Sequence, residues 1–341
     1  MRVCIIGSTG HVGYVLQDIG KTDADIVGIS SGSEGEDVLG LYEEVKRLSP
    51  ETRVFEDYRH MLDELKPEVA VVACHFADHA KATIEALGRG IHVFTEKPMA
   101  TTLTDLDRVW KAYREANVHL AAMFGIRYQP CFLTAWDKVR HGAIGTIRLM
   151  TAQKSYKLGR RAGFFRERRS YGGTIPWVGI HAIDWLHWFS GERFVSVFAS
   201  HSSLHNRGHG ELEVTANCHF NLTNEVIASA SMDYLRPDNA HSHDDDRLRV
   251  VGTRGIIEVR NGSAYLLNAD NDGSKSLPLL PTRGIFADFV AQIRGEGRCL
   301  VSAEDSFYAT EAALLARQSA DEGQLITFGR EFRRSDDLAS G

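Results

Sequence analysis

A glycine-rich turn near the start of the chain has the residue types of a phosphate-binding site. It follows the predicted strand Arg2–Ile6 and consists of Gly7, Ser8, Thr9, Gly10, His11, Val12 and Gly13. Glycines in such a turn let the backbone approach a pyrophosphate closely, and the free amide groups at the start of the next helix donate hydrogen bonds to it. The spacing is Gly-x-x-Gly-x-x-Gly rather than Gly-x-Gly-x-x-Gly, but a strand precedes the turn and a helix follows it. These seven residues are therefore predicted to bind a dinucleotide.

The second predicted strand ends without the acidic residue that usually binds the adenosine ribose of NAD. Ser30 and Ser31 stand there instead. The absence of a carboxylate removes the repulsion of a 2′-phosphate, and the serine hydroxyls could donate hydrogen bonds to one, although no arginine follows. The cofactor is therefore predicted to be NAD or NADP, with NADP slightly favoured, and Ser30 and Ser31 are predicted to contact it.

Lys97 has a position from which it could act on a substrate. It closely follows the predicted strand His92–Thr95, so its side chain lies over the crevice at the carboxyl ends of the parallel strands, where ligands bind. Pro98 would fix the turn that follows. The ammonium could donate a hydrogen bond to a ribose or substrate hydroxyl and stabilise negative charge that develops on oxygen. Lys97 is therefore predicted to take part in catalysis and in binding both cofactor and substrate.

These motifs together resemble the glucose–fructose oxidoreductase, inositol dehydrogenase and rhizopine-catabolism family, Gfo/Idh/MocA. The resemblance covers about residues 1–320 and depends on the glycine turn, on the strand and turn 71–79 that close in His79, and on Glu96-Lys97-Pro98. It implies an NAD(P)-dependent dehydrogenase or reductase that transfers a hydride between nicotinamide and a carbinol or carbonyl carbon of a sugar, polyol or sugar acid. It also implies that His79 and Glu96 contribute to the cofactor site.

A third motif of this family, Gly-Gly-x-x-x-Asp-x-x-x-His-x-x-Asp, matches the chain except at one position. The glycine pair at 172–173, His181 and Asp184 agree with it, while Trp177 stands in place of the first Asp. An Asp four residues before the histidine would share its helix face and could orient the imidazole. His181 is nevertheless predicted to be the acid/base that removes the hydroxyl proton as the hydride leaves the same carbon.

Other residues must then set the tautomer and the pKa of His181, and Asp184, Tyr156 or Lys97 could do so. Trp177 could stack on a sugar ring. Tyr156, Trp177 and Asp184 are therefore predicted to contact the substrate, as are Lys97 and His181. For Asp184, a role in holding the helix or the domain junction is an open alternative.

Three further groups of polar residues are interpreted without a metal ion. His187 is displaced by about 120° from His181 on a helix of 3.6 residues per turn, so the two are not predicted to share a metal. The cluster His241–Asp246 is predicted to be a solvated connector, with a loop near the substrate or an adventitious cation site as alternatives. The basic segment from Lys154 to Arg169 could attract an anionic substrate or the phosphate of NADP, or it could be a subunit contact or a solvated loop.

The elements that must position these residues divide the chain into two domains. Short apolar strands alternate with helices over residues 1–124, which predicts an α/β Rossmann-type doubly wound parallel sheet for dinucleotide binding. Residues 125–341 contain several strands in succession, which predicts an α+β domain with a largely antiparallel open sheet for substrate binding and oligomerisation. Two helices within 285–319 could pack back on the first domain.

Composition excludes several classes of protein. The net charge of −6 argues against nucleic-acid binding and against binding to anionic membranes. The chain has no apolar run of 18 residues and no pattern of a signal peptide, so a cytoplasmic protein is predicted. Its five cysteines include no Cys-x-x-Cys pair, which argues against a disulfide framework and a structural zinc site.

Three hypotheses for the function follow. The favoured one is the NAD(P)-dependent oxidoreductase of sugars or polyols. The second is a redox-neutral enzyme that cleaves a glycoside or sugar with a tightly bound, recycled NAD, which the unusual Trp177 makes plausible. The third is a non-catalytic regulator that senses NAD(P). A homodimer or homotetramer is predicted because an open sheet leaves one face uncovered and members of the family commonly associate.

Overall fold

The first domain is built on a parallel sheet of short, buried strands. The computed structural model of the chain describes residues 1–270, 273–329 and 332. Six strands lie in the order β3-β2-β1-β4-β5-β6 and are all parallel. They are β1 (Arg2–Ile6), β2 (Asp25–Ser30), β3 (Arg53–Phe55), β4 (Val69–Val72), β5 (His92–Thr95) and β6 (Leu120–Ala122). Every residue of β4 is buried, as expected for a central strand covered by helices on both faces. The prediction of a Rossmann-type sheet is confirmed.

Five helices connect these strands, and two of them begin at a residue suited to the N-cap position. They are α1 (Gly13–Ile19), α2 (Leu39–Leu48), α3 (Tyr58–Leu65), α4 (His79–Leu87) and α5 (Leu103–Glu115). The side chain of Asp57 accepts hydrogen bonds from the first amides of α3, and Thr102 does the same for α5. Because each helix returns the chain to the same edge of the sheet, the carboxyl ends of β1, β4 and β5 lie side by side.

The second domain contains a nine-stranded sheet in the order β14-β13-β12-β11-β7-β10-β9-β8-β15. Strands β7 and β10 are parallel, and the other neighbours are antiparallel. The strands are β7 (Ile147–Tyr156), β8 (Phe194–Ser202), β9 (Thr215–Leu222), β10 (Ile227–Asp233), β11 (Asp244–Gly252), β12 (Gly255–Arg260), β13 (Ser263–Asn268), β14 (Lys275–Ser276) and β15 (Ile326–Thr327). The predicted α+β domain with a largely antiparallel sheet is also confirmed.

One face of the large sheet is covered by helices and the other is exposed. The helices of this half of the chain are α6 (Pro130–Arg140), the short α7 (Arg168–Tyr171), α8 (Ile180–Ser190), α9 (Ile285–Ile293) and α10 (Ala303–Glu322). Of these, α6, α8 and α10 contact strands of the large sheet. Residues along β7 and β11 alternate between buried and exposed, and α8 packs against β7. On the outer face, Leu149, Phe198 and Ile227 each keep more than two fifths of their side chain exposed.

The two carboxyl-terminal helices join the domains. Phe286 and Phe289 of α9 contact Phe94 of β5, with ring centroids 5.4 Å apart in both cases. Asp18, at the end of α1, accepts hydrogen bonds from the amides of Phe286 and Ala287 and so caps α9. Helix α10 contacts α5 and β6 of the first domain as well as α8 and β8 of the second. In the residues that the structure describes, no helix combines the length and apolar character needed to span a bilayer.

Candidate active site

The glycine turn lies between the ends of β1 and β4 and leaves no room for a side chain at Gly7 or at Gly10. Gly7 and Gly10 have φ angles of 95° and 81°, a region that residues with a Cβ rarely adopt. A Cβ on Gly7 would come within 2.4 Å of the carbonyl oxygen of Ala73, which also accepts a hydrogen bond from the Thr9 amide at 2.6 Å. Gly7 is therefore required for the close approach of this turn to the chain that follows β4, and Gly10 is required for its approach to Glu96.

Two carboxylates accept hydrogen bonds from the amides of this turn. The Ser8 amide donates to Glu36 Oε1 at 2.9 Å, and the Thr9 hydroxyl donates to the same oxygen at 3.0 Å. The His11 amide donates to Glu96 Oε1 at 2.8 Å. Amides that bind anionic oxygens in this way are suited to phosphate oxygens, so the turn fits the diphosphate of a dinucleotide.

Glu36 was not among the predicted site residues. It lies six residues beyond the end of β2, and the intervening loop turns back so that its Oε2 accepts a hydrogen bond from the Gly32 amide at 3.0 Å. Ser30 is buried, and its hydroxyl donates to the carbonyl of Ser31 at 3.2 Å. The strand end itself carries no acid, but an acid from the following loop lies against the glycine turn. The glycines at 32 and 35 were the available sequence signal for that turn.

Glu96 is buried and negatively charged. Its carboxylate forms an ion pair with His11 Nδ1 and accepts a hydrogen bond from the Lys97 amide at 2.7 Å. Burial alone would raise its pKa, but the neighbouring charges of His11 and Lys97 outweigh burial and lower the pKa to about 2. Glu96 therefore supplies a fixed negative charge between the glycine turn and Lys97.

The Lys97 ammonium is enclosed at the end of β5. It donates a hydrogen bond to the Trp177 carbonyl at 2.8 Å and lies 3.3 Å from the centroid of the Trp177 ring. Burial lowers the pKa of Lys97 to about 7, although Glu96 opposes this shift, and the charge of Lys154 adds to it. A lysine with such a pKa can hold or release a proton near neutral pH.

Trp177 lies in a π-helical turn, Ile175–Gly179, that leads directly into α8. Its indole stacks on Phe76, with ring centroids 4.0 Å apart, so the second domain reaches across to the end of β4. Turns of this kind often occur at functional sites because they reorient the residues that follow. Trp177 thus occupies the space beside Lys97 where the family motif has an Asp.

His181 lies one turn further along and is fully enclosed. Its ring is edge-on to that of His11, with centroids 5.9 Å apart, and neither of its nitrogens has a hydrogen-bond partner in the described part of the chain. Burial lowers the pKa of His181 well below its ordinary value of 6.5, and the charges of Lys97 and Lys154 lower it further. The imidazole is therefore neutral at pH 7 and able to accept a proton.

Tyr156 lies at the end of β7 on the same side of the molecule. Its ring stacks on His243, with centroids 4.8 Å apart, and the Lys154 ammonium lies 4.7 Å above it. Burial raises the pKa of Tyr156 well above its ordinary value, and the charges of Asp246 and Asp244 raise it further. The phenol is therefore protonated and can donate a hydrogen bond.

The structure does not bring His79 into the crevice with a free nitrogen. Its Nδ1 lies 2.8 Å from the Pro98 carbonyl oxygen and its Nε2 lies 2.9 Å from that of Cys74. The ring therefore holds the ends of β4 and β5 in position beneath the site. The contribution of His79 to the cofactor site stays a prediction.

Asp184 points away from the reacting groups and towards the domain junction. Both of its oxygens accept hydrogen bonds from the Arg127 guanidinium, at 2.9 and 2.5 Å. Arg127 also donates to Asp305 and to the Leu300 carbonyl, each at 3.0 Å. Because Arg127 follows β6 and Asp305 belongs to α10, this buried network connects the first domain, α8 and the carboxyl-terminal helices.

Replacing Arg127 with methionine is expected to destabilise the fold by about 3–5 kcal/mol, because it leaves the Asp184 carboxylate buried without its partner. Denaturant-induced unfolding measures this change. Arg108, whose pair with Asp105 is exposed, provides the matched control, and Arg108→Met should change the free energy of unfolding by less than about 1 kcal/mol. Equal effects of the two substitutions would contradict the structural role of Arg127.

The basic segment forms a packed cover over the site. Phe164 stacks on His75, with centroids 4.4 Å apart, and Phe165 packs edge-on against Phe76 at 5.5 Å. Part of its charge is already paired, because Arg168 forms an ion pair with Asp321 at 2.9 Å. Lys157 donates a hydrogen bond to the Ala240 carbonyl at 2.5 Å. These contacts argue for a lid that closes the crevice more than for attraction of an anion.

The prediction of a solvated connector is wrong for the second half of the cluster His241–Asp246. Asp244, Asp245 and Asp246 belong to β11 and pair with the end of β7. The apolar residues of β11 begin only at Leu248, so the sequence pattern places the start of the strand too late. Among the described residues, no group of three or more His, Cys, Asp or Glu side chains could hold a metal ion. His187, considered above as a possible metal ligand, instead lies with its Nδ1 2.9 Å from the carbonyl oxygen of Glu192.

A Rossmann-type sheet, a glycine turn suited to a diphosphate, and a lysine and a neutral histidine together define the class. It is an NAD(P)-dependent oxidoreductase that acts on CH–OH groups. Comparison with known proteins agrees. The model of the oxidoreductase family with an NAD-binding Rossmann fold matches residues 1–124, and that of the GFO/IDH/MocA C-terminal domain matches residues 132–258.

Individual relatives support the same assignment. A solved structure from Thermotoga maritima, described as an oxidoreductase, is 49% identical, covers 96% of this chain and 100% of its own, and has a TM-score of 0.92. Myo-inositol 2-dehydrogenase of Thermotoga maritima is 24% identical over 338 residues, 96% of this chain and 98% of that protein. The uncharacterised oxidoreductase YrbE of Bacillus subtilis is 28% identical over 205 residues, so the match spans 60% of this chain and only 59% of YrbE. The chain belongs to the Gfo/Idh/MocA oxidoreductase family.

Proposed function

We propose that this enzyme transfers a hydride between NAD and a carbinol or carbonyl carbon of a sugar or polyol. The observation that carries the proposal is the pairing of two buried groups at the domain junction. They are the Lys97 ammonium at the end of β5 and the imidazole of His181 on α8, which has no hydrogen-bond partner among the described residues. Such a pair can bind one oxygen atom and remove its proton, which is what oxidation of a hydroxyl requires.

The residues divide the reaction as follows. The glycine turn 7–13 would hold the diphosphate, and the bound nicotinamide would supply the carbon that accepts or donates the hydride. Lys97 donates a hydrogen bond to the substrate oxygen and stabilises the negative charge that develops on it. Neutral His181 accepts the hydroxyl proton, so that an alcohol and NAD⁺ give a carbonyl, NADH and one proton.

A titration of the purified protein with NADH and NADPH, followed by nicotinamide fluorescence, is the first test. A panel of sugars and polyols with NAD⁺ comes next. Reversible binding and net reduction of NAD⁺ with a panel member would support the proposal. Cofactor that copurifies and survives turnover without net reduction would favour the redox-neutral alternative, for which Trp177 beside Lys97 is the structural argument. Nucleotide binding without turnover would favour a regulator.

The cofactor is proposed to be NAD rather than NADP, and Glu36 is the residue that selects it. The preference for NADP drawn from the sequence depended on the lack of an acid after β2, and the Glu36 carboxylate on the Ser8 amide removes that argument. A carboxylate at this position accepts hydrogen bonds from ribose hydroxyls and repels a 2′-phosphate.

Replacing Glu36 with glutamine is expected to shift the ratio of NADPH to NADH affinities towards NADPH by about 10- to 100-fold, the range for loss of a hydrogen bond to a charged group. Fluorescence titration of both nucleotides measures it. The exposed neighbour Glu34, as Glu34→Gln, is the matched control. An unchanged ratio in Glu36→Gln would refute this role.

Self-association through the outer face of the large sheet completes the proposal. Leu149 and Ile227 are direct neighbours on β7 and β10, and both are exposed. Exposed apolar side chains on adjacent strands favour contact with a second protein surface. Sedimentation velocity is expected to show a homodimer or homotetramer. Replacing Ile227 with aspartate should then dissociate it, whereas a wild-type monomer would contradict this part of the proposal.

A further inference from the structure

A buried ion pair lies in the middle of the large sheet, close to the candidate active site. Lys154 on β7 is the direct cross-strand neighbour of Asp246 on β11. Their side chains are only 1% and 8% exposed, and Lys154 Nζ lies 2.5 Å from Asp246 Oδ2. Burying two charges is costly, so a pair in this position calls for an explanation.

The pair leaves hydrogen-bonding capacity unused. Asp246 Oδ1 has no hydrogen-bond partner in the part of the chain that the structure describes. The Lys154 ammonium has three donors, of which one binds Asp246, and its other close neighbours are the rings of Tyr156 and Trp185. A buried carboxylate oxygen without a donor is unfavourable unless a ligand supplies one.

The pair is close to the reacting groups and to open space. Lys154 Nζ lies 5.8 Å from the ring centroid of Trp185, which is one turn after His181 on the same face of α8. The charge of Lys154 accordingly lowers the pKa of His181 and that of Lys97. Asp246 also lines a groove of about 520 Å³ between the start of α6 and strands β11 and β12. That volume is within the range of small-molecule sites, and the groove is lined largely by polar residues that include Gln129 and His241.

We propose that Lys154 and Asp246 form a second binding pair for the substrate, which engages two adjacent hydroxyl groups next to the carbon that reacts. An ammonium beside a free carboxylate oxygen matches a vicinal diol, because one hydroxyl accepts from Lys154 while its neighbour donates to Asp246. The inference rests on the proposed function, since it specifies a polyhydroxylated and uncharged part of the substrate.

The test compares Lys154→Met, Asp246→Asn and the double variant with the wild type. The probes are D-glucose and myo-inositol, each with its monodeoxy analogues, and NAD⁺ is the oxidant. Each single variant is expected to raise KM for the better probe by about 10- to 100-fold. Its Kd for NADH should remain unchanged. Lys81→Met, on the exposed face of α4, is the control for loss of a lysine.

The double variant separates substrate binding from folding. Each single variant leaves one buried charge unpaired and is expected to lower Tm, whereas the double variant removes both charges and should recover Tm. If the pair binds the substrate, KM stays raised in the double variant, and the wild-type discrimination against one monodeoxy analogue disappears. Recovery of KM together with Tm would show that the pair serves only packing.

Failure of this inference can be told apart from failure of the proposed function. Wild-type oxidation of a probe, with KM unaffected in the double variant, would overturn the diol-binding pair alone. If the wild type oxidises neither probe, calorimetric titration of both into the NADH complex decides. Binding that the double variant loses supports the pair, while absence of binding to the wild type overturns both proposals.

Discussion

Replacing His181 with alanine is expected to lower kcat by about 10²- to 10⁴-fold, the usual contribution of a positioned acid/base. The imidazole is neutral and has no hydrogen-bond partner in the described residues. Its nitrogens are therefore available to bind the substrate hydroxyl and accept its proton. The Kd for NADH should change little, because the amides that hold the diphosphate belong to the glycine turn. Steady-state kinetics and a nucleotide titration on the same preparation measure the two quantities.

His60, an exposed histidine on α3, is the matched control. Its side chain is 70% exposed and far in sequence from the crevice, so His60→Ala should retain wild-type kcat. Comparable turnover in His181→Ala and the wild type would refute the acid/base assignment. A parallel loss of NADH binding would point instead to a collapsed domain junction.

Replacing Lys97 with methionine is expected to lower kcat/KM by about 10²- to 10³-fold. This is the usual effect in enzymes of removing one hydrogen-bond donor to an oxygen on which negative charge develops. Methionine has a similar length and is compatible with the Trp177 ring, so the fold should survive. The substitution also removes a positive charge from beside the buried Glu96 carboxylate, which keeps His11 as its main charged partner. The fold and the cofactor site must therefore be checked separately. Circular dichroism and the Kd for NADH therefore accompany the kinetics, and an unchanged kcat/KM would exclude Lys97 from the chemistry.

The pKa of Lys97 adds a pH dependence to this prediction. Because burial lowers that pKa to about 7, the ammonium is present below about pH 7 and is lost as the pH rises through that value. Reduction of a carbonyl substrate needs the ammonium as donor, so kcat/KM for reduction should decline as the pH rises through 7. Lys97→Arg keeps its charge in this range and should not show the decline, at whatever level of activity it retains.

Much of this arrangement could be predicted from local sequence. The glycine turn, Lys97 and His181 each belong to a short motif whose position at a strand end or in a helix determines where the side chain goes. Such motifs depend on neighbours within a few residues. The parallel sheet can be predicted in the same way, because strands such as β4 consist of continuous apolar residues.

The residues that escaped prediction depend on contacts between distant segments. Glu36 reaches the glycine turn only because a loop folds back. Asp246 meets Lys154 through strand register, over 92 residues of chain. Asp184 was recognised as part of a motif, but its partner Arg127 lies 57 residues away. No periodicity or spacing encodes such pairings, so their roles become visible only in three dimensions.

The position of α9 and α10 has a consequence for how the chain folds. Part of the surface that would cover β5 and β6 comes from residues more than 150 positions later, through Phe286, Phe289 and the Ser306 hydroxyl that binds the Ala122 amide. Side chains from α9 and α10 therefore complete the core of the nucleotide-binding region, although that region is a recognisable module. During synthesis, the apolar surface of β5 and β6 is fully covered only after α9 and α10 have been made, and until then it is exposed to aggregation.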